Sequence, residues 1–171
     1  MTGTMDLTSH GSGNVTIDNA NADIVLIASE IGGNLTLTTG NASGIIDSGN
    51  VTVGGNLVAT TDDNNGVIDL GTLAVEGTIA LTTNDDANDD SAHATIVNNC
   101  SICSGGVGLN FAASTVEGNL TATATTGNIT QNAALTIKGT STLTTSANNA
   151  CLLYTSPSPR DATLSRMPSS A

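Results

Sequence analysis

The chain has 171 residues, 19 of them Gly, with a formal net charge of −12 and only 11% charged and 1% aromatic residues. So acidic a balance excludes nucleic acid and anionic membrane surfaces as partners, because each would set like charge against like. The near absence of aromatics is out of place in a compact globule and suits a thin aliphatic core, and with no apolar run long enough for a transmembrane helix, no membrane insertion is expected.

Residues 1–27 are a degenerate opening. Met1-Thr2-Gly3-Thr4 begins directly in polar, strand-like text without a leader peptide, so export would be directed by residues outside this sequence, or else the protein is cytoplasmic. Gly13-Asn14-Val15-Thr16-Ile17 anticipates Gly49-Asn50-Val51-Thr52-Val53, and Ile24-Val25-Leu26-Ile27 reads as a buried strand. The repeat is therefore already running, and Met1 or Met5 reads as an internal methionine.

Gly33–Glu76 contains one phrase twice. Gly33-Asn34-Leu35-Thr36-Leu37-Thr38-Thr39 returns 22 positions later as Gly55-Asn56-Leu57-Val58-Ala59-Thr60-Thr61. Gly44-Ile45-Ile46-Asp47 returns as Gly66-Val67-Ile68-Asp69, and Val51-Thr52-Val53 as Leu73-Ala74-Val75. Leu35 and Leu37 share one face of an extended chain and Thr36 and Thr38 the other, which is the period of a strand. Thr, Val and Ile suit a pleated surface, whereas Gly, Asn, Thr and Asp interrupt every would-be helical turn. A fixed period near 20 with three strand-like clusters marks a solenoid whose units cannot bury their cores alone. The expected fold is all-β: a parallel β-helix of about 20–22 residues per coil and about seven coils, right-handed by the general rule for parallel connections.

A further coil starts at Gly77-Thr78-Ile79-Ala80-Leu81, another at Gly118-Asn119-Leu120-Thr121-Ala122 after 41 positions, and another at Gly139-Thr140-Ser141-Thr142-Leu143. The irregular stretch 82–117 reads as two coils, one bearing a loop, with one coil and a long excursion as the alternative. Leu35, Leu57, Ile79, Leu120 and Leu143 are expected to stack as one interior column. Val51, Val53, Leu73, Val75, Leu135 and Ile137 are expected to line another wall. Asn34, Asn56 and Asn119 are candidates for a turn ladder between coils.

Composition breaks at position 150. All three Pro, the only Tyr and both Arg lie in 151–171, whereas residues 1–150 hold one basic residue, Lys138, against 14 acidic ones. Cys151–Asp161 resembles the in-frame translation of a transposase-type sequencing-library adaptor, with Ala162-Thr163-Leu164 as its index and Ser165–Ala171 as the constant sequence that follows. Residues 1–150 are thus expected to form the β-helix fragment. Residues 151–171 are expected to be a non-biological, disordered tail, and the natural C-terminus to lie beyond the sequence.

Tandem phrases of the type G-N-L-T-L-T-T…G-x-I…G-x-V-T-V over Gly13–Ala150 resemble the passenger repeats of filamentous-haemagglutinin-like adhesins of two-partner secretion. That resemblance implies a right-handed β-helix, a secreted or bacterial cell-surface location, export through an outer-membrane barrel, and attachment to a host or environmental surface ligand. From the residues themselves no cofactor and no catalysis are expected, since residues 1–150 hold no Arg to bind an acidic sugar and the two His are scattered; a carbohydrate-active β-helix enzyme is the less favoured reading.

Candidate sites remain few. In an exported protein the close pair Cys100 and Cys103 is a disulfide candidate, with free thiols as the alternative; zinc would need four ligands, and only His93 lies nearby. Asp85–Asp90 offers carboxylates for calcium but lacks the glycine and terminal Glu of an EF-hand loop, so it reads as a solvated loop. Asp47 and Asp69 occupy matching repeat positions, where they would stack about 5 Å apart. That separation would permit glycosidase chemistry, although an Asp at a strand end is also an ordinary turn residue. The sequons at Asn14, Asn34, Asn41, Asn50, Asn119 and Asn128 follow from the repeat phrase. An outward Thr face of Thr36, Thr38, Thr60, Thr82, Thr121, Thr123, Thr142 and Thr144 resembles the ice-binding wall of certain β-helical antifreeze proteins, the alternative function. The irregular coil and the apolar Val58 and Ala80 interrupt its rows.

Overall fold

The computed structural model describes residues 3–40, 42–62, 65–85, 91–101, 107–148 and 150–153. Among them there is no helix: nineteen short strands pair in parallel with the strands of neighbouring turns, ten in sheet A and nine in sheet B. The fold is an all-β parallel β-solenoid.

The chain crosses between the sheets twice per turn. In its first half each turn lays a continuous five-residue strand in sheet B and a split pair in sheet A. Strands β1 (Thr4–Met5) and β2 (Thr8–Ser9) open sheet A, and β3 (Val15–Asn19) opens sheet B. The split pairs β4 (Ile24–Leu26) with β5 (Ser29–Ile31) and β7 (Ile45–Asp47) with β8 (Val51–Val53) follow in A, and the continuous β6 (Leu35–Thr39) and β9 (Leu57–Thr61) in B. In β10 (Ile68–Val75) the split pair is fused. Then two continuous strands come in succession, β11 (Ile79–Thr83) in B and β12 (Ala94–Asn98) in A.

From there the sheets exchange roles. The split pairs β13 (Val107–Phe111) with β14 (Ser114–Val116) and β16 (Asn128–Gln131) with β17 (Leu135–Ile137) lie in B. The continuous β15 (Leu120–Ala124) and β18 (Ser141–Thr145) lie in A, and β19 (Leu152–Leu153) pairs with β16 in B. Seven levels follow one another along each sheet, which makes about six full turns. The expectation of seven coils spread the irregular stretch too thinly. Ile68 pairs with Ala94, 26 residues on, and Ile79 with Phe111, 32 residues on, against 20 to 22 for Val15 with Leu35 and Leu35 with Leu57.

The continuous strands obey the alternation read from the sequence. In β6, β9, β11 and β12 the first, third and fifth residues are buried and the two between them half-exposed. Leu35, Leu37, Ile45, Val53, Ile79, Leu81 and Leu120 are all 0% exposed. Turns above and below cover each of them, at about 1.5–3 kcal/mol per large aliphatic side chain.

The predicted interior columns hold only below β12. Val15, Leu35, Leu57 and Ile79 stack in sheet B, but the next residue in that column is Phe111. Leu120 stands in sheet A over Ala94, Ile68 and Ile45, and Leu143 over Ala122. Val51 pairs with Leu73 and Val53 with Val75 in sheet A, whereas Leu135 and Ile137 stack on Ser114 and Val116 in sheet B. The cause is a half-turn slip. The stretch from Gly77 to Gly118 holds β11, β12 and the pair β13–β14, which is one and a half turns, neither two coils nor one.

Candidate functional site: the half-turn junction and the outward faces

The Gly-Asn steps at Gly13-Asn14, Gly33-Asn34, Gly55-Asn56 and Gly118-Asn119 mark crossings between sheets, and their chemistry is an axial ladder. The Asn34 amide donates to Asn14 Oδ1, the Asn56 amide to Asn34 Oδ1 and the Thr78 amide to Asn56 Oδ1, each at 2.8 Å. Beside them the Gly55 amide donates to the Gly33 carbonyl at 2.9 Å and Gly77 to Gly55 at 3.0 Å. A Cβ on Gly55 would strike Asn34 Oδ1 and the backbone of Gly33, so glycine is required by close approach. After the slip the ladder resumes at the opposite crossing. There the Asn119 amide donates to His93 Nδ1 at 3.0 Å, and the Thr140 amide to Asn119 Oδ1 at 2.8 Å. The expected ladder of Asn34, Asn56 and Asn119 exists, but in two pieces.

A second, buried series closes the other end of the continuous strands from β3 to β12. The last side chain turns inward and donates across the corner: Asn19 to the Asp23 carbonyl, Thr39 to Ser43, Thr61 to Gly66, Thr83 to Ala92 and Asn98 to Gly108. The corners spanned are 4, 4, 5, 9 and 10 residues. The insertion is therefore two enlarged corners, one after β11 and one after β12, and not a single excursion.

Asn98 carries the junction. The stack β2–β5–β8 ends in the second half of β10, and β12 reaches only as far as Leu73, which pairs with Asn98. The Asn98 carboxamide stands in for the missing strand: Val75 N–H donates to Oδ1 at 2.9 Å, and Nδ2 donates to the Val75 carbonyl at 3.3 Å and to the Gly108 carbonyl at 2.6 Å. Asn98 is 1% exposed, so these bonds satisfy backbone groups that water does not reach. In sheet B the buried Ser114 plays a similar part, its hydroxyl accepting from Leu81 N–H at 3.1 Å. Nothing in the local sequence around either residue marks this role. The available signal was that Asn19, Thr39, Thr61 and Thr83 share one repeat position, with Asn98 closing the next continuous strand.

Glu117 ties three successive levels together. Its carboxylate accepts from Asp85 N–H at 2.9 Å and pairs with Lys138 Nζ at 2.8 Å, while its own amide donates to Thr83 Oγ1. The hydrogen bond from Lys138, then that from the Asp85 amide, holds the Glu117 carboxyl below the ordinary carboxylate range.

The eight outward Thr do not form one wall. Thr36, Thr38, Thr60 and Thr82 lie on sheet B, whereas Thr121, Thr123, Thr142 and Thr144 lie on sheet A. On sheet B Thr36 stands between Thr16 and Val58, and Thr38 between Asp18 and Thr60; on sheet A Thr123 stands between Val97 and Thr144. Asp47 and Asp69 are not in register: Asp69 pairs with Ile46, one residue off the expected match. Asp47 instead caps the next turn, accepting from Gly71 N–H, Thr72 N–H and the Thr72 hydroxyl at 2.8 to 3.0 Å. The two carboxylates are therefore a turn cap and an outward strand residue. Cys100 is 2% exposed and disulfide-bonded, while Cys103 lies outside the described residues. Of the acidic loop only Asp85 is described, and Asn41 also falls outside. At the sequons Asn14, Asn34, Asn119 and Asn128 the side-chain oxygen is committed to the next turn, that of Asn128 accepting from Cys151 N–H at 2.7 Å.

Ladders, interior columns and continuous parallel stacking define a repeat-built β-solenoid protein. The chain belongs to a family described as repeats of unknown function (DUF5649), whose model matches residues 12–62 and 97–156. The second matched segment begins inside the junction, at Val97 in β12. No curated protein matches the chain, and no solved structure does.

Proposed function

We propose that the chain is a non-catalytic segment of a large exported bacterial surface protein, acting as an adhesin or as the stalk that carries one. The observation that supports this reading is axial continuity. Strand pairing runs from level to level through all described turns, and side-chain ladders accompany it on both sides of the half-turn slip. A parallel solenoid lengthens by about 4.8 Å per turn, and each turn contacts only its neighbours, so reach can be added without redesign of a core. Outward Thr keeps such a rod hydrated, and the excess of carboxylates keeps neighbouring rods apart. Export through an outer-membrane barrel and a host or environmental surface ligand complete the proposal, on the strength of the resemblance of the repeat phrases.

The test uses a bacterium carrying the parent gene with its neighbouring genes. An antibody against residues 33–76 should label intact cells, and external protease should remove the label without lysis. Label confined to permeabilised cells overturns the surface role. Surface label with unchanged attachment after deletion of the repeat keeps the stalk and removes the adhesin.

A further inference from the structure

The half-turn slip leaves a step on the outside of sheet A. Below it the sheet carries two stacks side by side, one through β4 and β7 and one through β5 and β8, and both meet in β10. β12 continues the first stack over Ile68–Leu70 and ends opposite Leu73, so the second stack stops there. Asn98 closes the edge on the inside. On the outside a cavity of about 320 Å³ opens between Thr52, Thr72 and Ala74 on the lower levels and Val97, Asn99 and Thr125 on the upper ones.

We propose that this step binds a neutral saccharide unit of one or two rings. Its volume falls near the lower bound of roughly 300–1,000 Å³ typical of ligand sites. Hydroxyls and carboxamides both donate and accept, which matches the mixed demands of sugar hydroxyls, and Ala74 and Val97 supply a small apolar patch for a C–H face.

Part of the wall is already held in place. The Thr72 hydroxyl lies 3.0 Å from Asp47 Oδ2 and 2.8 Å from the Gly49 carbonyl and shares its one proton between them, and the Thr125 hydroxyl donates to Asn99 Oδ1 at 2.7 Å. That leaves the Asn50 carboxamide, the Asn99 amide nitrogen and the Thr52 hydroxyl to meet a ligand. The nearest charges are carboxylates: Glu30 neighbours Thr52, and Asp47 holds Thr72. With a net charge of −12 they turn away sulfated, sialylated or uronic sugars. Asp47 is turned towards the Gly71 and Thr72 amides, which compete with a ligand for its oxygens. This inference stands on the step alone and does not require the chain to be exported.

The experiment is an amide-shift titration of the 15N-labelled full chain with lactose, cellobiose, maltose and N,N′-diacetylchitobiose, with 3′-sialyllactose as the anionic counterpart. At least one neutral disaccharide should give saturable shifts centred on Thr52, Ala74, Val97, Asn99 and Thr125, with a Kd on the order of 1 mM for so open a site. Thr52→Val and Asn99→Ala should each weaken binding about tenfold, with the rest of the spectrum unchanged. Thr52→Ser, which keeps the hydroxyl and guards against a folding artefact, should retain it. Saturation by none of the neutral sugars, binding that ignores these variants, or binding of sialyllactose alone would each overturn the proposal.

Discussion

The turns below the slip and those above it are written in the same phrase and built into different walls. Gly33-Asn34-Leu35-Thr36-Leu37 lays its strand in sheet B, and Gly118-Asn119-Leu120-Thr121-Ala122 lays an equally regular strand in sheet A. The phrase therefore specifies a crossing followed by a continuous strand, with glycine for close approach and a ladder acceptor beside it, and either crossing satisfies it. Which sheet receives the strand depends on how many crossings come before. The interiors adapt to the exchange. Below the slip continuous strands bring Leu35 and Leu37 or Ile79 and Leu81 into the core. Above it β15 brings Leu120 with the small Ala122 and Ala124, and the opposite sheet supplies Leu109, Phe111 and Ile129. Large against small across one core keeps the packing density level.

The largest effect should come from breaking that compensation. Phe111, the only Phe in the chain, is 1% exposed, and Phe111→Ala should cost about 3–5 kcal/mol. Leu57→Ala, the matching cut below the slip, should cost about 2–5 kcal/mol, because stacked neighbours cannot collapse onto the gap. Urea unfolding of the two variants measures both. A Phe111 variant as stable as the parent chain would remove volume exchange as the account of the upper turns.

Next is the seam itself. Asn98→Ala deletes three hydrogen bonds inside a site closed to water; after local relaxation the net cost should be about 1–3 kcal/mol, close behind the core truncations. Asn34→Ala removes a ladder bond at an exposed crossing and should cost no more than about 0.5–1.5 kcal/mol. Hydrogen exchange should show the Val75 amide losing protection in the first variant and keeping it in the second. Equal costs at the two sites would mean that Asn98 is only another rung.

Architecture was legible in the sequence because alternation and period are local properties, so strand identity, inward Leu and outward Thr followed from Leu35–Thr39 alone. Register across the insertion was not. The 41 residues between Gly77 and Gly118 lie close to two periods, and only the corner lengths after Thr83 and Asn98 reveal one and a half turns. Chemistry at matching repeat positions misled in the same way. Asp47 and Asp69 align by text, yet the corner from Thr61 to Gly66 is one residue longer than that from Thr39 to Ser43 and shifts the pairing by one, and in a strand one residue is the difference between facing a neighbour and facing away. The ladder was visible as repeated Asn, whereas its continuation through His93 was hidden by a change of residue type.

Glu117 offers a smaller, pH-dependent contrast, since its clamp exists only at the junction. Its carboxyl titrates below the unfolded value in the folded chain. The stabilisation is therefore complete above the ordinary carboxylate range and is lost as pH falls through the folded value. Glu117→Gln should flatten this part of the acid-unfolding profile and leave stability at neutral pH only slightly lower. An unchanged profile would show that the pair with Lys138 is a surface contact of no consequence.

The smallest effect should come from His93, and it tests most directly whether the two ladders are one device. Asn Oδ1 and His Nδ1 are both attached to Cγ, so each places a planar acceptor at the same bond count from the backbone. Accepting from Asn119 N–H requires the His93 ring to keep Nδ1 bare, with its proton on Nε2. His93→Asn should therefore preserve the bond and shift stability by less than about 0.5 kcal/mol. His93→Ala should cost up to about 1 kcal/mol, because the site is exposed and water replaces part of the bond. His93→Gln moves the acceptor one bond further out, towards Gly118, where an added Cβ would already lie 2.5 Å from His93 Nδ1. Gln should thus behave like Ala in protection of the Asn119 amide. A Gln variant as protected as the Asn variant would mean that the crossing tolerates any acceptor, and that the upper ladder owes its register to backbone pairing alone.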